Sequence, residues 1–386
     1  MIGGELLSEG GYGCIFRPEI TCDGTSLEDT EYVSKIQLYD KSAKKEIELG
    51  KIIQTIRGFK HRFVPVLSHC FIDVSEIETK DKKDCSILTK NSDNKFILFK
   101  ILYIEGSTFI NFMVKNNNPK NIINNIIHSY NYLLKSIRLL IEKRIVHYDI
   151  KGDNILFNDK MKVPSIIDFG LSLNMDKINM NNLSNYFYVF APEYYIWPLE
   201  IHYLSFLVKK KKEPTIVDLE YMINKYISNN VALVNNFSPK FLESYKKLCM
   251  KQLLIYNKLK YEKSIKKILS YWDTWDNYSL SVLYLKIIYY LNPGGYITNT
   301  FLSFFTEILL INISPNPVKR FNIADTIHSF NKFLIDKDIN KKNTFVDMVK
   351  LVKNNKEDIS IRIERDQKNN KLLTRKLDKY RDGWNI

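Results

Sequence analysis

Apolar residues along the chain predict short strands in the first hundred residues and long helices after them. Residues 5–17, Glu-Leu-Leu-Ser-Glu-Gly-Gly-Tyr-Gly-Cys-Ile-Phe-Arg, read as a strand that turns at the glycines and returns through Cys14-Ile15-Phe16. Tyr32-Val33-Ser34-Lys35-Ile36 reads as a strand whose lysine has apolar neighbours, a setting in which the ammonium normally reaches out to solvent. Residues 41–56 carry Leu49, Ile52, Ile53 and Ile56 at helical spacing, with Glu46 and Glu48 on opposite edges of that apolar face. Residues 76–95 are polar and predict an exposed loop, followed by a strand over 95–104 and a turn at Glu105-Gly106-Ser107. Residues 121–144 place Ile126, Tyr130, Leu133, Ile137 and Leu140 on one helical face, and Ile166-Ile167 reads as a buried strand.

Composition narrows the class. The 386 residues are 45% hydrophobic and 26% charged, the balance of a globular protein with a sizeable core. A formal charge of +14 and a pI of about 9.2 favour acidic partners, whether nucleic acid, an acidic protein or nucleotide phosphates. Cysteine is present at positions 14, 22, 70, 85 and 249. The odd number, with no Cys-x-x-Cys and no histidine cluster, argues against a disulfide framework and a zinc site and for a reducing compartment. The N-terminus has no basic stretch leading into an apolar run, and the longest apolar stretch, residues 280–291, is too short to span a bilayer. No membrane association and a cytoplasmic location are the expectation.

The chemistry concentrates in His147-Tyr148-Asp149-Ile150-Lys151-Gly152-Asp153-Asn154-Ile155-Leu156. Asp149, Lys151 and Asn154 lie too close together to be three independent surface residues. A single loop Asp or Asn is normally a cap or turn former, but here Asp168-Phe169-Gly170 and Ala191-Pro192-Glu193 follow. That order resembles the catalytic loop, metal-binding turn and activation-segment end of eukaryotic-type protein kinases. Upstream, Gly10, Gly11 and Gly13 would let backbone N–H groups approach a phosphate; Ser8 stands where the kinase pattern has its first glycine. Downstream, Asp276-Asn277-Tyr278 resembles the aspartate that opens a buried helix and braces the catalytic loop, and Arg320 resembles the arginine that pairs with the Glu of Ala-Pro-Glu, here Glu193. The wording of residues 10–18 and 191–200 is similar to kinases encoded by large nucleocytoplasmic double-stranded DNA viruses, which would put the protein in the host cytoplasm or the virus particle.

The resemblance implies a two-lobed α+β fold: an N-lobe over 1–104, a C-lobe over 105–340 with a helical Lys-rich insertion at about 201–271, and a charged tail over 341–386, read as an exposed helix or partly disordered arm. It implies ATP and magnesium, or manganese in its place. Asp149 would orient the acceptor hydroxyl, Lys151 would neutralise the transferring phosphoryl group, and Asn154 with Asp168 would hold the metal. The nucleotide would lie among Leu7, Gly10, Gly11, Gly13, Ile15, Val33, Lys35, Ile101, Tyr103, Leu156 and Asp168, with Glu46 fixing Lys35. Lysine at 151 implies protein substrates with Ser or Thr acceptors. Two departures bear on control. Tyr148 replaces the arginine that usually precedes the catalytic Asp, which implies activity independent of activation-segment phosphorylation. Tyr186 falls, counting back from Ala191, where a threonine usually ties the substrate loop to the Asp and Lys. These departures also motivate a rival, a pseudokinase scaffold with little catalysis. A small-molecule kinase generally lacks Ala-Pro-Glu and its arginine. Nucleic acid or an acidic protein at Lys209-Lys210-Lys211-Lys212 would be an added function.

Overall fold

The computed structural model describes residues 5–10, 13–22, 31–73, 77, 85–90, 95–115, 119–291, 300–336 and 356–382. The chain divides into two compact units, residues 1–109 with 154–172, and residues 110–153 with 173–386. The first is mainly β and the second mainly helical.

The first unit is built on a five-stranded antiparallel sheet in the order β1-β2-β3-β6-β5, formed by β1 (Glu5–Gly10), β2 (Gly13–Arg17), β3 (Tyr32–Leu38), β5 (Ser68–Ile72) and β6 (Phe96–Leu102). Between them come α1 (Lys41–Gln54), β4 (Phe63–Val64) and α2 (Ser86–Lys90). Asp40 caps α1 by accepting from the Ala43 N–H at 2.8 Å, a bond type worth about 1 kcal/mol. The helix buries Ala43, Glu46, Leu49, Gly50 and Ile53, so the apolar stripe carries one carboxylate inward with it. A second sheet, ordered β4-β10-β9-β7, joins β4 to β7 (Gly106–Thr108), β9 (Ile155–Asn158) and β10 (Val163–Ile167), β8 (Ile145–Val146) being part of the second unit. Gly13 is required by packing: a Cβ there would stand 2.4 Å from the Ile36 carbonyl oxygen on the adjoining strand.

The cysteine reading is overturned here. Cys14 bonds Cys85 and Cys22 bonds Cys70, with Cα separations of 6.1 and 5.8 Å, inside the range a disulfide spans. Cys249 is buried and unbonded. Counting cysteines missed the pairs because the sheet, and not sequence spacing, brings them together. The argument for a reducing compartment falls with it.

The second unit contains α3 (Phe109–Lys115), α4 (Pro119–Glu142), the β8–β11 ribbon with β11 (Leu173–Asn174), α5 (Leu199–Lys210), α6 (Ile216–Asn229), α7 (Val231–Val234), α8 (Pro239–Asn257), α9 (Tyr261–Leu269), α10 (Trp275–Leu291), α11 (Thr300–Asn312), α12 (Ile323–Asp336) and α13 (Lys356–Asp382). Tyr289 alone of α10 is not buried, so the helix runs through the core and carries Asp276, Asn277 and Lys286 inside with its apolar residues. Tyr130 meets Tyr284, Phe305 and Phe330 edge-on at 4.7, 4.9 and 4.9 Å, pinning α4, α10, α11 and α12 together. Thr215 and Asp218 form a capping box at α6. Lys210, Lys211 and Lys212 are exposed. In place of an exposed arm, α13 buries Ile359, Ile363, Asp366, Asn370 and Leu377. Those positions fall three, four or seven apart, one face of a helix. Among the described residues no helix is long and apolar enough to cross a membrane.

Candidate active site

Within the first unit the functional side chains meet around Lys35. Its register on β3 faces Ile15 on β2 and Phe99 on β6. Its side chain does not reach out to solvent: Nζ lies 3.0 Å from both Glu46 carboxylate oxygens and 3.6 Å from Asp168 Oδ1. Burial works against the ammonium, yet Glu46 and Asp168 prevail and raise its pKa above the ordinary lysine value. Glu48, on the other edge of α1, is exposed. Asp168 adopts a left-handed φ of 62°, a costly conformation for a non-glycine residue. The turn is fixed by its neighbours. Phe169 is buried edge-on against Phe63, and the Ser42 hydroxyl donates to the Gly170 carbonyl at 3.0 Å.

The other predicted nucleotide residues are distributed as follows. Val33 is buried opposite Ile101, which is half-buried like Ile15 and Leu156. Leu7 is 52% exposed on β1, and Gly10 pairs with Gly13 at the hairpin. Gly11 lies outside the described residues. The Tyr103 N–H is donated to the Glu31 carbonyl at 2.8 Å, and its ring carries the Arg17 guanidinium at 3.6 Å. Asn154 and Asp168 both offer oxygen donors, and the Asp168 side chain is 32% exposed. That hard, neutral-plus-anionic set fits magnesium.

Within the second unit the catalytic loop is held from below by Asp276. Its Oδ2 accepts from the His147 N–H at 2.6 Å and its Oδ1 from the Tyr148 N–H at 2.9 Å. Burial raises the Asp276 pKa against the pull of His147 and those two N–H groups. Tyr148, 3% exposed, has a left-handed φ of 68°. The surroundings enforce it: Trp197 Nε1 donates to the Tyr148 carbonyl at 2.6 Å, and the two rings stack at 4.6 Å. Asp149 Oδ2 accepts from Lys151 Nζ at 2.9 Å, and the Tyr194 hydroxyl donates to Asp149 Oδ1. Lys151 Nζ also donates to that hydroxyl at 3.4 Å. Buried carboxylate and ammonium are thus paired and oriented by a third group, an arrangement suited to positioning a hydroxyl and neutralising phosphoryl charge.

Two sequence assignments shift by seven or eight residues. Arg320 pairs bidentately with Glu200, at 2.5 and 2.9 Å, and donates through Nε to the Ser314 carbonyl at 2.8 Å. Glu193 is not its partner. The acid needed is the one that α5 buries in its first turn, and the tripeptide Ala191-Pro192-Glu193 drew the reading seven residues early. Counting back from Ala191 put the loop-tying position at Tyr186, whereas the Tyr194 hydroxyl contacts both Asp149 and Lys151. The missed signal was Trp197-Pro198-Leu199-Glu200, a second proline-led acid, here in the first turn of a helix.

A β-rich unit with a Lys–Glu–Asp cluster, followed by a helical unit with a braced Asp–Lys loop, defines a protein kinase of the two-lobed α+β type. The sequence profile described as Protein kinase domain matches residues 5–198, just over half of the chain, and the chain belongs to that family. Over 96 residues it is 30% identical to mitogen-activated protein kinase kinase kinase nsy-1 of Caenorhabditis elegans, a stretch that is 25% of this chain and 6% of that relative.

Proposed function

We propose that the protein is an active serine/threonine kinase that moves the γ-phosphoryl group of ATP to hydroxyls of protein substrates. The observation that carries this is the Lys35 ammonium held 3.0 Å from Glu46 and 3.6 Å from Asp168. A scaffold that had abandoned catalysis has no need to keep a buried cation aimed at the metal-binding carboxylate. Lys35 would hold the nucleotide phosphates, with the Gly10–Gly13 hairpin over them. Asn154 and Asp168 would hold magnesium, which neutralises phosphate charge when bound. Asp149 orients the acceptor hydroxyl and takes its proton as the new P–O bond forms and the β–γ bridge breaks to release ADP. Lys151 offsets the charge on the moving phosphoryl group and supports the Ser/Thr assignment.

Independence from activation-segment phosphorylation is supported by Tyr148. Its ring stacks on Trp197 and meets Phe187 edge-on at 6.3 Å, so aromatic packing anchors the segment where an arginine would otherwise await a phosphate. An acidic partner at the exposed lysines of 210–212 rests on charge alone. The nematode relative adds no support to the viral wording.

The test is phosphate incorporation from labelled ATP into Ser, Thr and Tyr peptide pools, by chain made in bacteria and treated with phosphatase. Incorporation into Ser and Thr pools that Asp149→Ala abolishes is expected. Equal incorporation by both proteins would remove the enzyme reading; activity on the Tyr pool alone would remove the specificity.

A further inference from the structure

The helix α13 is bound to the second unit by an anchor unusual for a charged terminal segment. Lys286 of α10 has a side chain 2% exposed, and its Nζ lies 2.5 Å from Asp366 Oδ2 and 3.4 Å from Asn370 Oδ1. Such a pair is stable only when both charges are fully matched, because removing either leaves an uncompensated buried ion. One turn beyond Asn370 on the same face, the Thr374 hydroxyl accepts from Lys151 Nζ at 3.2 Å. Gln367 donates to Asn111 at 3.1 Å on the flank. The helix therefore ends its polar seam on the same ammonium that binds Asp149.

We propose that the acceptor surface around Asp149 and Lys151 is a docking site occupied in cis by α13, with the Thr374 hydroxyl standing in the place of an acceptor hydroxyl. This rests on the kinase reading of Asp149 and Lys151. Thr374 is an occupant and not an acceptor. Its own O–H is donated to the Asn370 carbonyl at 2.9 Å and so points along α13 instead of toward Asp149, while its oxygen faces the Lys151 ammonium at 3.2 Å. The partner this surface fits is a helix with an apolar stripe, an acid matched to Lys286 and a hydroxyl two turns further on. Protein substrates compete with α13 for it. Exposed Lys368, Lys371, Arg375 and Lys376 on the outer side of α13 give an acidic effector a handle for pulling the helix away.

The test uses the full chain with Ile363→Glu and Asp366→Arg together, changes confined to α13 that set a polar group against its apolar contact and a cation against Lys286. A surface closed nine-tenths of the time raises an apparent KM about tenfold. The variant is therefore expected to show a roughly tenfold lower KM for a Ser/Thr peptide, an unchanged KM for ATP, and faster amide exchange over 356–382. A synthetic 356–382 peptide added to the variant should restore inhibition, competitively against peptide substrate and not against ATP. Unchanged peptide KM in a variant whose helix exchanges freely would overturn the proposal, as would phosphate found on Thr374 of the wild-type chain. Absence of incorporation by both chains would instead remove the kinase reading itself, and this inference with it.

Discussion

Replacing Glu200 by glutamine keeps the shape of the Arg320 partner and removes its charge. Both side chains are 1% exposed, and the guanidinium makes two bonds to the carboxylate at 2.5 and 2.9 Å. Burial opposes the arginine's charge and Glu200 more than compensates, raising its pKa. Breaking one side of such a pair typically costs about 3–5 kcal/mol, because the remaining ion stays desolvated without a counter-charge. For a unit of this size each kcal/mol moves the midpoint by about 2–4 °C, so Glu200→Gln should lower the Tm by roughly 6–20 °C. Glu193→Gln, a change at a half-buried acid outside the pair, should cost less than about 1 kcal/mol. Urea unfolding followed by the signal of the buried Trp275 measures both. Glu200→Met with Arg320→Met should recover much of the loss, since an apolar pair of similar volume is often neutral. A Glu193→Gln chain destabilised as much as Glu200→Gln, or a Glu200→Gln chain unfolding with the wild type, would refute the assignment.

Three further outcomes are expected. Lys35→Met leaves Glu46 buried beside Asp168 without a cation and should reduce phosphate incorporation by at least about 100-fold, the scale of losing a preorganised charge-stabilising donor; near-normal activity would exclude Lys35 from the reaction. Tyr194→Phe removes the hydroxyl from Asp149 and Lys151 and should lower kcat roughly 10- to 100-fold, the equivalent of a bond to a charged group, with KM for ATP unchanged. An unaltered kcat would show the hydroxyl to be mere packing. His202 is fully buried, and burial pushes its pKa down from 6.5 to about 3. The unfolded chain takes up this proton as pH falls below about 6.5 while the folded chain does not. Stability should therefore fall with acidification across pH 6.5 to 3, by up to about 1.4 kcal/mol per pH unit from this group. His202→Phe should flatten that slope in urea titrations; identical slopes would refute it.

The parts legible in the sequence were those carried by local pattern. The apolar stripe of α1 narrowed the partner of Lys35 to the two glutamates at its edges, and the side that Ala43, Leu49 and Ile53 bury carries Glu46 inward. Asp276 was read from its resemblance to the kinase aspartate that opens a buried helix, and it accepts from the N–H groups of His147 and Tyr148 as that resemblance implied. What local pattern could not supply was tertiary pairing. Cys14 on β2 and Cys85, directly before the short helix α2, are joined across 71 residues. The face of α13 was hidden because two of its five buried positions, Asp366 and Asn370, are polar. They are buried only because Lys286 is there to meet them.

The aromatic residues around Tyr148 show how a departure from motif is absorbed physically. A bulky residue in the left-handed region costs of order 1–3 kcal/mol unless its surroundings hold it there. Here they do: Asp276 takes its N–H, Trp197 its carbonyl, and Phe187, Trp197 and Trp275 its ring. Trp197 and Phe187 come from the segment running from Asp168 to Glu200, so the full set of contacts that holds Tyr148 forms when that segment is folded. A tyrosine makes the order of the segment and the geometry of Asp149, one residue on, a single packing event, and Tyr194 closes it by reaching Asp149 itself.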